Sequence, residues 1–245
     1  MLLTGLLHSF FWIDANHRPA PSHERMSRVA RNQALFGKRS LAETWRYIGS
    51  TEMAAGREGE AAASYLRAIR SDPDERMNYR FLASIRVARS VREGGSVEAG
   101  LAAYHGELSE GVSRPAYAHL GGVIAALAAR RLDLAMAEGD EMIAAAAEHA
   151  ELVATWGDLR RMAGQTDEAE EAYRRALGRD PALPRALIGM ACLAGMRGDR
   201  AMAEDLAREA GRRTPWSPQA QQFARQLAAG RFARPDQFGG YFYFQ

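Results

Sequence analysis

Apolar residues along this chain recur at intervals of three and four, the spacing of one face of an α-helix, in short runs separated by glycine and proline. In the segment Ala42–Glu75, Trp45, Ile48 and Met53 place apolar groups on one side of a first helix. Ala61, Tyr65, Ala68 and Ile69 do the same for a second. Gly56, between them, tolerates the turn conformation, and Pro73 has no N–H to donate and ends the second helix. Gly49 is read as the point where the two helices approach closely. The pattern predicts a helical hairpin.

The same spacing returns further along. In Ala150–Leu183, the residues Gly157, Gly164, Ala169, Tyr173, Ala176 and Pro181 stand at the offsets of Gly49, Gly56, Ala61, Tyr65, Ala68 and Pro73. Val153 and Trp156 take the places of Trp45 and Ile48. Pro184–Ser217 follows without a break in phase, with Leu187, Met190, Ala191, Gly198, Ala203, Ala207, Ala210 and Pro215 in the corresponding places. Between the clear copies the pattern is degraded. Arg76–Arg89 predicts a first helix through Tyr79, Leu82 and Ala83; the turn stretches over Arg92–Gly95, and Val97–Leu108 predicts a second helix. Ala116–Arg130 and Leu132–His149 predict another pair, with Ala135 in place but Gly139 where Tyr65 and Tyr173 stand in the first two clear copies. Ser217–Ala229, with Phe223 and Leu227 on one face, predicts a closing helix.

These residues resemble the tetratricopeptide repeat family, whose 34-residue unit has W-x₂-L-G early, A-x₃-F later and a final proline. The resemblance covers roughly residues 42–230 and implies an all-α fold. That fold is a right-handed α-solenoid of antiparallel helix pairs, about five repeat units plus a C-terminal capping helix. The expected organisation is an apolar and basic segment at 1–40, the solenoid at 41–230 and an aromatic tail at 231–245. Clear repeats fall at 42–75, 150–183 and 184–217, degenerate ones at 76–115 and 116–149, and the capping helix at 217–229.

Such solenoids wind into a concave groove, which in this family is lined by first-helix side chains and receives peptides or partner helices. Carried over by position, the groove residues are Arg46, Ser50 and Met53, then Arg80, Ser84 and Val87. Further along they are Ala154, Asp158 and Arg161, and finally Arg185, Ile188 and Cys192. The plain alternative is that these are ordinary solvated helix positions. Repeats that clamp the terminal carboxylate of heat-shock chaperones pair a basic residue with an asparagine. Ser50 and Ser84 stand where that asparagine would be, so a standard clamp is not expected. Arg46 and Arg80 keep the capacity to hold an acidic segment.

Composition adds little to the fold and more to the partners. The chain is 47% apolar and 25% charged, ordinary for a globular protein. The net charge of +2 is uneven. Residues 1–40 carry Arg18, Arg25, Arg28, Arg31, Lys38 and Arg39 against Asp14 and Glu24, leaving the repeats slightly acidic. Nucleic acid is therefore not an expected partner. Lys38 is the sole lysine, a bias that fits a GC-rich bacterial genome.

No phosphate loop, nucleophile elbow, H-E-x-x-H or dinucleotide fingerprint is present, so neither catalysis nor a cofactor is expected. Metal ligands are not expected either. His17, His23 and Glu24 lie in a proline-interrupted stretch, while His105, His119 and His149 show no ligand spacing. Cys192 reads as a packing residue. The ends are the individual parts. Met1–Ile13 lacks the basic region of a signal peptide and carries His8, so retention in the cytoplasm is expected. Export or membrane association through residues 1–13 is the alternative. Phe10, Phe11 and Trp12, with Tyr241, Phe242, Tyr243 and Phe244, are expected to bind a protein partner. Self-association through the tail and peripheral membrane contact through the N-terminus are further options. The expected function is a non-catalytic interaction scaffold or assembly adaptor. The alternative is a permanent structural subunit of a larger bacterial complex, with membrane association of that complex as an option.

Overall fold

The computed structural model describes residues 40–108 and 114–213, with Pro215, Gln221, Gln222, Arg225 and Gln226. The N-terminal segment, the aromatic tail and most of the expected capping helix lie outside the described residues, Phe223 and Leu227 included. Within them the chain forms ten α-helices and no strand. In order these are α1 (Leu41–Ala54), α2 (Glu58–Ser71), α3 (Arg76–Arg92), α4 (Val97–Leu108) and α5 (Pro115–Ala128). They continue with α6 (Leu132–Ala146), α7 (Ala150–Met162), α8 (Thr166–Arg179), α9 (Pro184–Met196) and α10 (Arg200–Arg213). Consecutive helices pair as hairpins and the hairpins stack in sequence, giving an all-α solenoid.

Local chemistry sets the helix ends. Ser40 caps α1 in a reciprocal box: its Oγ accepts from Glu43 N at 3.1 Å, and Glu43 Oε2 accepts from Ser40 N at 2.9 Å. Five hairpin turns then share one closure, in which an N–H donates to the carbonyl five residues back. The pairs are Arg57 to Glu52, Gly95 to Ser90, Arg131 to Ala126, Gln165 to Arg160 and Asp199 to Ala194. The residue before each donor has a positive φ, and four of the five are glycine: Gly56, Gly94, Gly164 and Gly198. The fifth is Arg130, at φ 59°. A side chain there crowds the following carbonyl and costs roughly 1–2 kcal/mol, so Arg130→Gly removes strain that the other turns do not carry. Allowing for the added freedom of the unfolded chain, Arg130→Gly is expected to gain about 0.5 kcal/mol, and Gly164→Ala to lose about 1 kcal/mol. Paired denaturant titrations measure both; equal shifts would remove the argument.

The core follows the repeat. Ala61, Ala169 and Ala203 are fully buried at the helix crossings, and Tyr65 and Tyr173 are buried between hairpins. Gly49 and Gly157 face these rings. A Cβ at Gly49 would lie 3.0 Å from Tyr65 Cζ, and one at Gly157 2.8 Å from Tyr173 Cε1. The glycine thus makes room for a ring rather than for a bare backbone crossing. On its far side each ring meets the sixth residue of the next hairpin: Phe81 stacks on Tyr65 with centroids 4.9 Å apart, and Gly189 sits against Tyr173. Met53, expected on the inward face of α1, is exposed; one helical turn beyond Ile48 the inward residue is Glu52, which accepts from Ser64 Oγ at 3.0 Å.

The degenerate units differ from the regular ones in packing. Of the two helices of the preceding hairpin, α5 rests on α3 and little on α4. A Cβ at Gly121 would stand 2.9 Å from the Tyr79 carbonyl oxygen, so the two first helices approach backbone to backbone. In the same hairpin, Gly139 of α6 leaves the ring position empty, and Leu159 from α7 occupies that space: a Cβ on Gly139 would meet Leu159 Cδ1 at 2.5 Å. A leucine from the next unit substitutes for the absent aromatic.

Candidate functional site

First-helix side chains at the start of the array form a cleft between α1 and α3. It encloses about 400 Å³ and is lined by Glu43, Arg46, Tyr47, Ser50, Met77 and Phe81. Helical spacing of four brings Glu43 beside Tyr47, Arg46 beside Ser50, and Met77 beside Phe81. The polar edge is held in place. Arg46 Nη1 donates to Glu75 Oε2 at 2.9 Å, Ser50 Oγ donates to the Arg46 carbonyl at 3.1 Å, and Ser50 Oγ and Tyr65 Oη lie 3.0 Å apart. Burial pushes the Tyr65 phenol above its usual range, so it stays a neutral hydroxyl. The Arg80 guanidinium lies over the Phe81 ring, 5.6 Å from its centroid. The cleft sets the apolar faces of Tyr47, Met77 and Phe81 beside the charges of Glu43 and Arg46.

Of the expected groove residues, Arg46 and Ser50 line this cleft and Arg80 adjoins it through Phe81. Further along α3, Ser84 is half-buried and Val87 buried, while the exposed Met53 does not line the cleft. Sequence reasoning missed Glu43, Tyr47, Met77 and Phe81, although each stands one helical turn from a residue that lines the same space.

Expected groove positions in the C-terminal half have a different environment. Ala154, Asp158, Arg161, Ile188 and Cys192 are all buried. Asp158 Oδ1 accepts from Tyr173 Oη at 2.7 Å and its Oδ2 accepts from Arg185 Nη1 at 3.1 Å. Arg161 Nε donates to Tyr173 Oη at 3.2 Å, and its Nη2 lies 3.5 Å from Asp158. Burial would lower the Arg161 pKa, but Tyr173 and Asp158 outweigh it and hold the guanidinium above its ordinary range. Glu151 extends the network, 3.7 Å from Arg185 and 3.6 Å from Arg76. These side chains tie α3, α7, α8 and α9 together. Cys192 is pushed up to about 11 by burial, so it is a thiol at neutral pH and no nucleophile.

Three residues that sequence spacing separates are brought together on α4, α5 and α6. Glu138 Oε1 and Oε2 lie 2.9 and 3.0 Å from His105 Nε2, and Oε2 lies 2.8 Å from His119 Nδ1. Burial pushes the Glu138 carboxyl up, but hydrogen bonds and charge from the two imidazoles outweigh it, leaving the group below its ordinary range and ionised. Local spacing gave no signal because each residue sits on a different helix. His17, His23 and Glu24 lie outside the described residues, as do Phe10, Phe11, Trp12, Tyr241, Phe242, Tyr243 and Phe244. Among the described residues no helix is long and apolar enough to cross a membrane.

No family model matches the chain, and no curated protein matches it. Solved structures do. A tetratricopeptide repeat protein from Parabacteroides merdae superposes with a TM-score of 0.52 at 20% identity, over 79% of this chain and 75% of that one. TTC0263, a thermophilic protein of the same repeat class in Thermus thermophilus, gives 0.52 at 17% identity, over 78% of this chain and all of that one (100%). PilW, a widely conserved type IV pilus biogenesis factor, gives 0.50 at 17% identity over 81% and 90%. At these identities the likeness is one of fold.

Proposed function

We infer that this chain, whose fold is that of the tetratricopeptide-repeat solenoids, is a non-catalytic protein-interaction scaffold. The cleft between α1 and α3 anchors a segment of the partner. The observation that carries this reading is the cleft itself, where Tyr47, Met77 and Phe81 offer apolar contact beside the charges of Glu43 and Arg46. Aromatic residues and arginine in a pocket are what binding hot spots are made of. Charged positions at the other end of the array are buried in the Asp158–Arg161–Tyr173 network, which favours the N-terminal cleft as the contact point. The apolar ends, residues 1–15 and 238–245, are proposed to add contacts to the same partner.

A photo-crosslinking residue in place of Tyr47 is expected to trap one protein from the native cell, and the same residue at Arg70, on the outer face of α2, to trap none. Arg46→Ala with Tyr47→Ala is expected to weaken capture about tenfold, equivalent to ~1.4 kcal/mol. Truncating each end in the same assay measures its share. Equal labelling from Tyr47 and Arg70 would overturn the assignment of the cleft.

A further inference from the structure

We propose that His105, His119 and Glu138 form a three-ligand site for one divalent first-row transition-metal ion of the zinc type. The donor set is two imidazole nitrogens and a carboxylate oxygen, whose ligand atoms all lie within 4.8 Å of one another. Zinc bound at about 2.0–2.1 Å in a tetrahedral arrangement places its ligands about 3.3 Å apart. The observed separations from Glu138 are 2.8 to 3.0 Å. Zinc-length bonds therefore ask each Glu138–histidine contact to open by a few tenths of an ångström, the ion taking the place of the hydrogen bonds between them.

Four further features fit the site to a cation. Each ligand comes from a different helix, so the donors are held by packed elements rather than by a loose loop. Gly122 makes the space that the carboxylate occupies: a Cβ there would come within 2.5 Å of Glu138 Oε2. The His105 ring is set by its neighbours, 4.9 Å from the Tyr104 ring and 5.0 Å from His119. Glu138 is 13% exposed while His105 and His119 are 30% and 24% exposed. The anion thus lies inside and the imidazoles at the mouth, which leaves a route for the ion and an outward coordination position for water. The ion would pin α4, which packs little on α5, to the α5–α6 hairpin.

The test is calorimetric titration of the full chain with zinc chloride. One equivalent is expected to bind, and the unfolding midpoint to rise with zinc concentration. His105→Ala with His119→Ala is expected to lower affinity at least about a hundredfold, and Glu138→Gln about tenfold, judged by the sensitivity of such sites to their ligands. His149→Ala, outside the cluster, is expected to change nothing. Should a variant fold poorly, ¹⁵N resonances of the wild-type imidazoles decide the matter: one equivalent of zinc shifts His105 and His119 together. No saturable binding, or binding that survives the double substitution, or zinc that shifts other histidines first, overturns the proposal.

Discussion

Gly189→Ala is expected to lower stability by roughly 2–3 kcal/mol, the upper end of what overpacking a core costs. A Cβ at this position would lie 2.6 Å from Tyr173 Cε2 and nearer still to Cζ and Cε1. The ring cannot retreat. On its other side Gly157 allows no more room, and its hydroxyl is fixed by Asp158 and Arg161. Because each hairpin touches chiefly its neighbours, the damage should concentrate where α9 meets α7 and α8. Hydrogen exchange is expected to speed up in α9 and α10 while α1 and α2 keep their protection. Gly178→Ala is the matched control, in the exposed face of α8 with nothing within 4 Å of the added carbon. It should gain about 0.5–1 kcal/mol from helix propensity alone. The two substitutions are chemically identical and should move a denaturant midpoint in opposite directions. If Gly189→Ala is neutral or stabilising, the seat assigned to Tyr173 is wrong.

The second large effect is expected at Asp158. Asp158→Ala removes the carboxylate that answers Arg161 and Arg185 and that accepts the Tyr173 hydroxyl. Both Asp158 and Arg161 are almost wholly inaccessible, at 5% and 3%. Removing one partner of a buried pair costs about 3–5 kcal/mol, because the opposite charge stays desolvated. Tyr173→Phe should cost less, about 1–2 kcal/mol, since it removes a hydroxyl and leaves the ring in place. The double variant should fall short of the sum, because both changes break the same hydrogen bond. Strict additivity in that cycle, measured by urea denaturation, would show that the network does not act as a unit.

How far these features could be read in the chain follows from their range. Gly56, Gly164 and Gly198, with Ala61, Ala169 and Ala203, recur in phase because each answers a contact within its own hairpin. Local period was enough to find them. Arg130 escaped because the turn demands a backbone conformation, which an arginine can be forced to adopt and does not advertise. Asp158 and Arg161 were placed on the groove by position, and position is silent about the Tyr173 hydroxyl that draws them into a buried network. Met53 lost its inward place to Glu52 by one residue, a difference that periodicity blurs. The His105–His119–Glu138 cluster depends on how three successive helices stack, with α5 against α3, and no spacing rule encodes that. The cleft was visible only in part: Arg46 and Ser50 follow from the repeat pattern, whereas Glu43, Tyr47, Met77 and Phe81 depend on how α1 and α3 stand beside each other.

Arrays of this class are commonly treated as trains of exchangeable carriages, shortened or extended by whole units. The hairpin at α5 and α6 breaks that modularity. With Gly139 in place of a ring, it is completed by Leu159 of the following hairpin, so neither unit is finished without the other. A deletion that removes α5–α6 alone leaves Leu159 without its seat, and one that removes α7–α8 alone leaves a hole beneath Gly139. Cutting out or grafting either of these two hairpins therefore has to take the other with it.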